Sequence, residues 1–436
     1  MVIVMKRDFY DKLMYWKNED ILTPLLVIGA RQVGKTYIIE KFCKEQFKDY
    51  IYINLFDNPE VINIFKQSIN TQEKVNQFIM YLHRDVNEDT VIFIDEVQKS
   101  EELLSSMKWF CENEFPYKII LAGSLLGVTL LKLNKVFPVG KVHFEYMYPM
   151  SFKEFLVATE NQNYVKLIED SYANNKPINE SLHNELLRMY RIFLCTGGMP
   201  RMVQHYIDKN KNLALCGQFI LSDINSGYVS DMYDTATNVN EAVKIVKIYN
   251  NIPTQLAKEN KKYQISKISK NARMRDYKDS MNWLLASKLV VPAYYVNYFE
   301  TPLKSYMDEN MFKLYLLDTG LLMNLAGLSY EPIVANNNFM FKGAITENYV
   351  ANEFQKNGLN LYYYQKDQQL EIDFLIDVKD GIIPVEVKAG DEVKSTSLNK
   401  YVAKHNPNYA IRISAKNFGF ENNIKSVPLY AVFCIK

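Results

Sequence analysis

The stretch Leu25-Leu26-Val27-Ile28-Gly29-Ala30-Arg31-Gln32-Val33-Gly34-Lys35-Thr36-Tyr37-Ile38-Ile39-Glu40 decides the fold of the first third of the chain. Four apolar residues read as a buried strand, and Tyr37 onward reads as a helix. Between them lies the pattern GxxxxGK[ST], in the strand-then-helix context that the motif requires. The glycines let the backbone curl so that successive N–H groups face inward toward an anion. The helix N-terminus adds the positive end of its dipole. The stretch is expected to hold the phosphates of a nucleoside triphosphate with Gly29, Ala30, Arg31, Gln32, Val33, Gly34, Lys35, Thr36 and Tyr37. Lys35 is expected to neutralise the β- and γ-phosphates, and the Thr36 hydroxyl to ligate magnesium.

Two further apolar runs end in polar residues. Val91-Ile92-Phe93-Ile94 leads into Asp95 and Glu96, a buried strand with two acids at its tip. Asp95 is expected to hold magnesium through water, and Glu96 to polarise the attacking water as a general base. Ile119-Ile120-Leu121-Ala122-Gly123 leads into Ser124. In an ATPase sheet that strand sits between the loop strand and the acidic strand, which brings Ser124 near the γ-phosphate. Strands are expected at Pro24–Ile28, Tyr50–Asn54, Val91–Asp95, Lys118–Ala122 and Lys141–Tyr146. Helical patterns fall between them at Lys35–Lys44, Lys74–Asp85 and Glu102–Glu112. Short apolar runs alternating with helices predict a parallel α/β sheet.

After Pro149 the pattern turns helical, broken at Thr196-Gly197-Gly198-Met199-Pro200. From about Asn240, three helices (Glu241–Asn250, Ile252–Glu259 and Arg273–Ala286) precede a strand at Leu289–Val296, as in a winged helix. Lys267, Lys270, Arg273, Arg275 and Lys278 gather where a DNA-reading helix would meet phosphates. Lys313-Leu314-Tyr315-Leu316-Leu317-Asp318 reads as a buried strand followed by a helix capped near Asp318. A last module opens with a helix, Gly343–Asn357. Strands are expected at Leu361–Tyr364, Glu371–Ile376, Ile383–Val387, Tyr409–Ser414 and Leu429–Cys434, with a helix near Thr396–His405.

In that last module, Asp373 on one strand is followed by Glu386 and Lys388 on the next. Residues two apart on a strand face the same side. The order is similar to the PD-(D/E)xK nuclease core, with Glu347 on the preceding helix as a fourth member. Asp373 and Glu386 are hard oxygen ligands for magnesium, and Lys388 could activate a water beside a scissile phosphate.

With 48% hydrophobic and 23% charged residues in 436, the chain has the composition of globular protein of two to four domains. A net charge of +1 confines any nucleic-acid surface to a local patch. The five cysteines are widely spaced without a CxxC, which suggests reduced thiols in the cytoplasm. There is no run of 18 apolar residues and no secretory leader pattern, so no membrane association is expected. The five histidines do not pair at metal-ligand spacing, which leaves zinc-enzyme chemistry unsupported.

The set of motifs resembles the AAA+-like ATPases that carry a C-terminal DUF4143 domain. The matching residues are the Gly29–Thr36 loop, Asp95-Glu96-Val97-Gln98, Gly123-Ser124, the run Tyr148-Pro149-Met150-Ser151-Phe152-Lys153-Glu154-Phe155, and Gly197-Gly198-Met199-Pro200. The resemblance implies a P-loop ATPase core over 1–150, a helical lid over 151–235, a winged helix over 236–335 and a nuclease-like module over 336–436. It also implies ATP and magnesium as ligands, hydrolysis to ADP and phosphate, and DNA or a protein as partner. Where such proteins often carry Gly-Arg before the Tyr-Pro motif, this chain has Gly140-Lys141. A lysine lacks the bidentate fork of arginine, which makes Arg191 and Arg201 alternative phosphate sensors. Three outputs are expected to compete: an ATPase acting on DNA, an ATP-switched interaction protein with an inactive nuclease fold, and an ATP-gated nuclease. The oligomeric state is not legible.

Overall fold

The computed structural model describes residues 5–19, 23–82, 89–113, 115, 117–133, 140–258, 260–269, 272–366, 370–390 and 396–436. It contains two compact units, one formed by Lys6–Tyr148 with Ala286–Lys288, the other by residues 149–285 and 289–436 together with Met5.

The first unit runs α1 (Phe9–Asn18), β1 (Leu25–Ile28), α2 (Lys35–Gln46), β2 (Asp49–Asn54), α3 (Pro59–Lys66), α4 (Thr71–Tyr81), β3 (Thr90–Asp95), α5 (Glu101–Glu112), β4 (Lys118–Gly123), α6 (Leu126–Leu133) and β5 (His143–Tyr146). The strands form one parallel sheet in the order β2-β3-β4-β1-β5. β1 and β3 are buried along their whole length, as strands covered on both faces must be. On one face, Leu26, Ile28, Ile92, Ile94 and Leu121 join a core with Val61 and Phe65 of α3, Phe78 of α4 and Met107 of α5. The Ser100 side chain caps α5 by accepting from the Leu103 N–H, and Glu101 and Glu102 complement the helix dipole.

The second unit begins with helices α7 (Phe152–Ala158), α8 (Gln162–Asn174), α9 (Glu180–Thr196), α10 (Pro200–Asp208), α11 (Phe219–Thr235), α12 (Val239–Leu256) and α13 (Lys278–Ala286). The hairpin β6 (Val290–Val296) and β7 (Met307–Leu316) follows, then α14 (Thr319–Leu325), α15 (Glu331–Val334) and α16 (Lys342–Lys356). The chain ends with β8 (Tyr362–Lys366), β9 (Leu370–Val378), β10 (Gly381–Val387), α17 (Thr396–His405), β11 (Ala410–Ser414), β12 (Gly419–Glu421) and β13 (Ile424–Pro428). All eight strands form one mixed sheet, ordered β12-β13-β11-β10-β9-β8-β6-β7. The sheet therefore runs straight across residues 335 and 336, because β6 pairs in parallel with β8.

Several expected elements differ. Leu429–Cys434 is a short 3-10 helix, not a strand, and the strand before it is Ile424–Pro428. Leu429, Tyr430, Ala431, Val432 and Phe433 are all buried, and an unbroken apolar run has no period that separates strand from helix. The expected pair Glu241–Asn250 and Ile252–Glu259 is a single helix. Its buried face, Ala242, Ile245, Ile248, Tyr249, Ile252 and Leu256, continues through Asn250-Asn251, and Pro253 falls in its last turn. Arg273–Ala286 is interrupted: a 3-10 turn at Met274–Asp276 ends at Tyr277, whose φ of −121° leaves the helical region. Helix α4 ends at Tyr81, and the expected extension to Asp85 reaches residues outside those described.

Candidate functional site

In the first unit the loop between β1 and α2 is shaped by two glycines with different jobs. Gly34 has φ of 94°, a left-handed conformation that suits glycine. Gly29 lies so close to the Met147 carbonyl that a Cβ there would collide with it. Lys35 is buried, and its Nζ donates to the carbonyls of Gly29 and Ala30, each at 2.9 Å. The ammonium is thus held inside the loop, where a phosphate would lie. Ala30 and Val33 are buried, whereas Arg31, Gln32 and Tyr37 are exposed.

The acids of β3 meet this loop. The Thr36 hydroxyl donates to Asp95 Oδ2 at 2.6 Å, and Asp95 Oδ1 accepts the Glu96 N–H at 2.9 Å. A hydroxyl and a carboxylate oxygen side by side are hard donors, suited to a magnesium ion that draws its other ligands from phosphates and water. Glu96 follows at a left-handed φ of 57° and accepts from Gln98 Nε2 at 2.5 Å. β4 lies between β1 and β3, which puts Ser124, just past its end, at the same edge of the sheet as the loop.

Two residues outside the expected nucleotide contacts also bear on this site. Buried Arg7 donates from Nη1 to the Val33 carbonyl at 2.8 Å and from Nη2 to the Tyr148 carbonyl at 2.7 Å. Nothing in the sequence around Arg7 signals this. Gln98, visible only as part of a resemblance, presses its Oε1 against Gly123, where a Cβ would collide with it. Lys141 is placed otherwise than a phosphate sensor requires. It precedes the first residue of β5, at the edge of the sheet opposite the loop, and pairs with Glu112 at 3.6 Å.

The remaining expected residues belong to the second unit. Lys267, Arg273, Arg275 and Lys278 are exposed, and Arg275 pairs with its neighbour Asp276 at 3.4 Å. Lys270 lies outside the described residues. Asp373 and Glu386 stand on the paired strands β9 and β10, and Lys388 Nζ pairs with Glu386 Oε1 at 2.8 Å. Asp373 Oδ2 accepts the Val387 N–H at 2.8 Å. Glu347, buried on α16, takes a hydrogen bond from Tyr315 at 3.2 Å and pairs with Lys261. The last pairing was not legible, nor was the presence of Lys313 among these acids. Among the described residues, no three acidic, histidine or cysteine side chains are arranged to hold a metal ion.

A five-stranded parallel sheet in this order, with lysine, threonine and paired acids at one edge, defines a P-loop ATPase fold. Residues 23–156 match a family described as an AAA domain. Residues 187–331 match a domain of unknown function, DUF8612, and residues 342–432 match DUF4143, also of unknown function. An uncharacterised protein of Methanocaldococcus jannaschii is 24% identical over 380 residues, 86% of this chain and 75% of that protein. Among solved structures, a Walker-type ATPase of Pyrococcus abyssi is similar at 16% identity and a TM-score of 0.45, covering 74% of this chain and 96% of that one. The ORC2 protein of Aeropyrum pernix follows at 12% identity and a TM-score of 0.38, covering 76% and 94%. No helix among the described residues is long and apolar enough to cross a membrane.

Proposed function

We propose that the chain binds ATP with magnesium at Gly29–Thr36 and hydrolyses it to ADP and phosphate, in the cytoplasm. The observation that supports this reading is the 2.6 Å contact between Thr36 and Asp95, with Glu96 next in sequence. Bound magnesium would supply charge neutralisation across the phosphates. Lys35, already desolvated in the loop, binds the β- and γ-phosphates. Loop N–H groups orient them, and Ser124 contacts the γ-phosphate or its water. Glu96 takes the proton from the attacking water, and the Gln98 amide orients its carboxylate. Glu96→Gln keeps the size of the side chain but removes the base, so it is expected to bind nucleotide normally and lose turnover by about 100-fold or more. Unchanged turnover in Glu96→Gln would refute the assignment.

The helices α12 and α13 and the β6–β7 hairpin support a winged-helix reading for 236–335, with DNA as partner. The observation favouring it is that Lys267, Arg273, Arg275 and Lys278 are all exposed on one stretch. Phosphate contacts of this kind weaken steeply with salt. Arg273→Ala with Lys278→Ala should lower affinity for duplex DNA and flatten the salt dependence by about 2 in slope. DNA affinity and salt slope equal to those of the unaltered chain would instead favour the ATP-switched protein-interaction reading. The C-terminal sheet with α16 supports a nuclease-like fold for 336–436.

A further inference from the structure

A nuclease reading of the C-terminal module requires a divalent cation held by Asp373 and Glu386. By donor type the residues suit one, since both are hard oxygen ligands. The surroundings do not. Lys313, on β7, is 1% exposed and extends its ammonium among these acids. Its Nζ lies 3.0 Å from Glu371 Oε1, 4.0 Å from Asp373 Oδ1 and 4.0 Å from Glu347 Oε2. An ammonium with three carboxylates around it meets the electrostatic demand of a cation beside Asp373.

Each acid of the cluster has a cation beside it without a metal. Glu347, Glu371, Asp373 and Glu386 bring four carboxylates. Lys261 pairs with Glu347, Lys388 with Glu386, and Lys313 with the others. Buried Arg412 on β11 stands in register with Glu386. Each of the four acids therefore has a lysine within 4.0 Å. Burial lowers the affinity of Lys313 for its proton, but Glu347, Glu371 and Asp373 outweigh this and hold it firmly charged. Burial likewise opposes ionisation of Glu347, yet Lys261 and Lys313 keep it charged. A divalent ion added here would meet a buried ammonium already seated beside Asp373 and Glu347, and the cost of displacing it would oppose binding.

We propose that Lys313 is the resident cation of this module, standing where a nuclease would hold its metal, so that 336–436 is a metal-free scaffold and not a phosphodiesterase. The lysine comes from the β6–β7 hairpin and the acids from α16, β9 and β10. The ion pairs thereby tie the hairpin to the sheet it extends.

The test uses the full chain without nucleotide, with Mn2+ followed by electron paramagnetic resonance and by thermal unfolding. The unaltered chain is expected to take up no Mn2+ at the cluster, to change its Tm by less than about 1 °C with Mn2+ or Mg2+, and to leave plasmid and linear DNA intact. Lys313→Met should create a Mn2+ site that a second change, Asp373→Asn, abolishes. Mn2+ binding by the unaltered chain that is lost in Asp373→Asn would overturn the proposal. Metal-dependent DNA cleavage lost in Glu386→Gln would do the same. A folded Lys313→Met chain that gains no Mn2+ would also overturn it. If Lys313→Met does not fold, the measurements on the unaltered chain decide alone.

Discussion

At the scale of single residues, the motif Gly197-Gly198-Met199-Pro200 is explained by crowding. Gly198 donates its N–H to Asp318 Oδ2 at 2.6 Å, and its carbonyl accepts the Met150 N–H at 2.7 Å. A Cβ on Gly198 would run into the Met150 backbone, which cannot rotate away as a side chain tip can. Gly197 has φ of 63° and faces the Asp318 carboxylate. Asp318 also caps α14 through the Leu321 N–H. Ser151, next to Met150, closes a capping box with Glu154 at the start of α7. Two widely separated motifs, one after Pro149 and one after Thr196, are thus one backbone knot around Asp318. Gly198→Ala is expected to cost about 1–3 kcal/mol by overpacking. Urea unfolding measures it; a midpoint equal to that of the unaltered chain would contradict the crowding argument. Arg191 and Arg201, which flank this motif, belong to the second unit, where Arg201 pairs with Asp223 at 3.3 Å.

At the scale of elements, what could be read depended on whether a segment's environment leaves a period in its sequence. β1, β3 and β4 are buried along nearly their whole length and bounded by turns; they and the half-exposed edge strand β2 were legible to within a residue or so, and β5 to within two. The order β3-β4-β1 was legible because the phosphate loop, the acid pair and Ser124 mark strand ends that chemistry must bring together, whereas the places of β2 and β5 were not. α1, α3 and α6 carry no such mark and were not anticipated. α16 was legible as a helix, but its burial was not. Ala344 to Phe354 are all buried, including Glu347, Asn348 and Asn352, for which β7 supplies polar partners, and Glu353, which pairs with Lys356. Asn348 accepts the Leu316 N–H at 2.7 Å and donates to the Leu316 carbonyl at 2.9 Å, and Asn352 donates to the same carbonyl at 2.8 Å. Asn348 thereby serves backbone groups just where β7 ends. The same limit hid Lys313. It sits in a run of β7 that is buried on both faces, and nothing local says that acids some 60 residues later will surround it.

At the scale of the whole molecule, the chain has two units with separate apolar cores. One core centres on Leu26, Ile92, Leu121 and Met107. A core in the other unit gathers Val296, Tyr362, Ile372, Tyr401 and Ile424. Every residue proposed to touch nucleotide, from Gly29 to Ser124, belongs to the first unit. A ligand that binds only the native state raises stability by about 2.7 kcal/mol when present at about 100 times its dissociation constant. For a unit of this size that corresponds to a rise in Tm of about 5–10 °C. The gain belongs to the core that carries the site. Calorimetry should therefore resolve two transitions, of which magnesium with ADP moves one and leaves the other in place. Lys35→Ala removes the ammonium that the loop carbonyls hold, so its chain should show both transitions and no nucleotide shift. A single transition that moves as a whole would mean that the two cores unfold as one. A shift that survives in Lys35→Ala would mean that the nucleotide binds somewhere other than this loop.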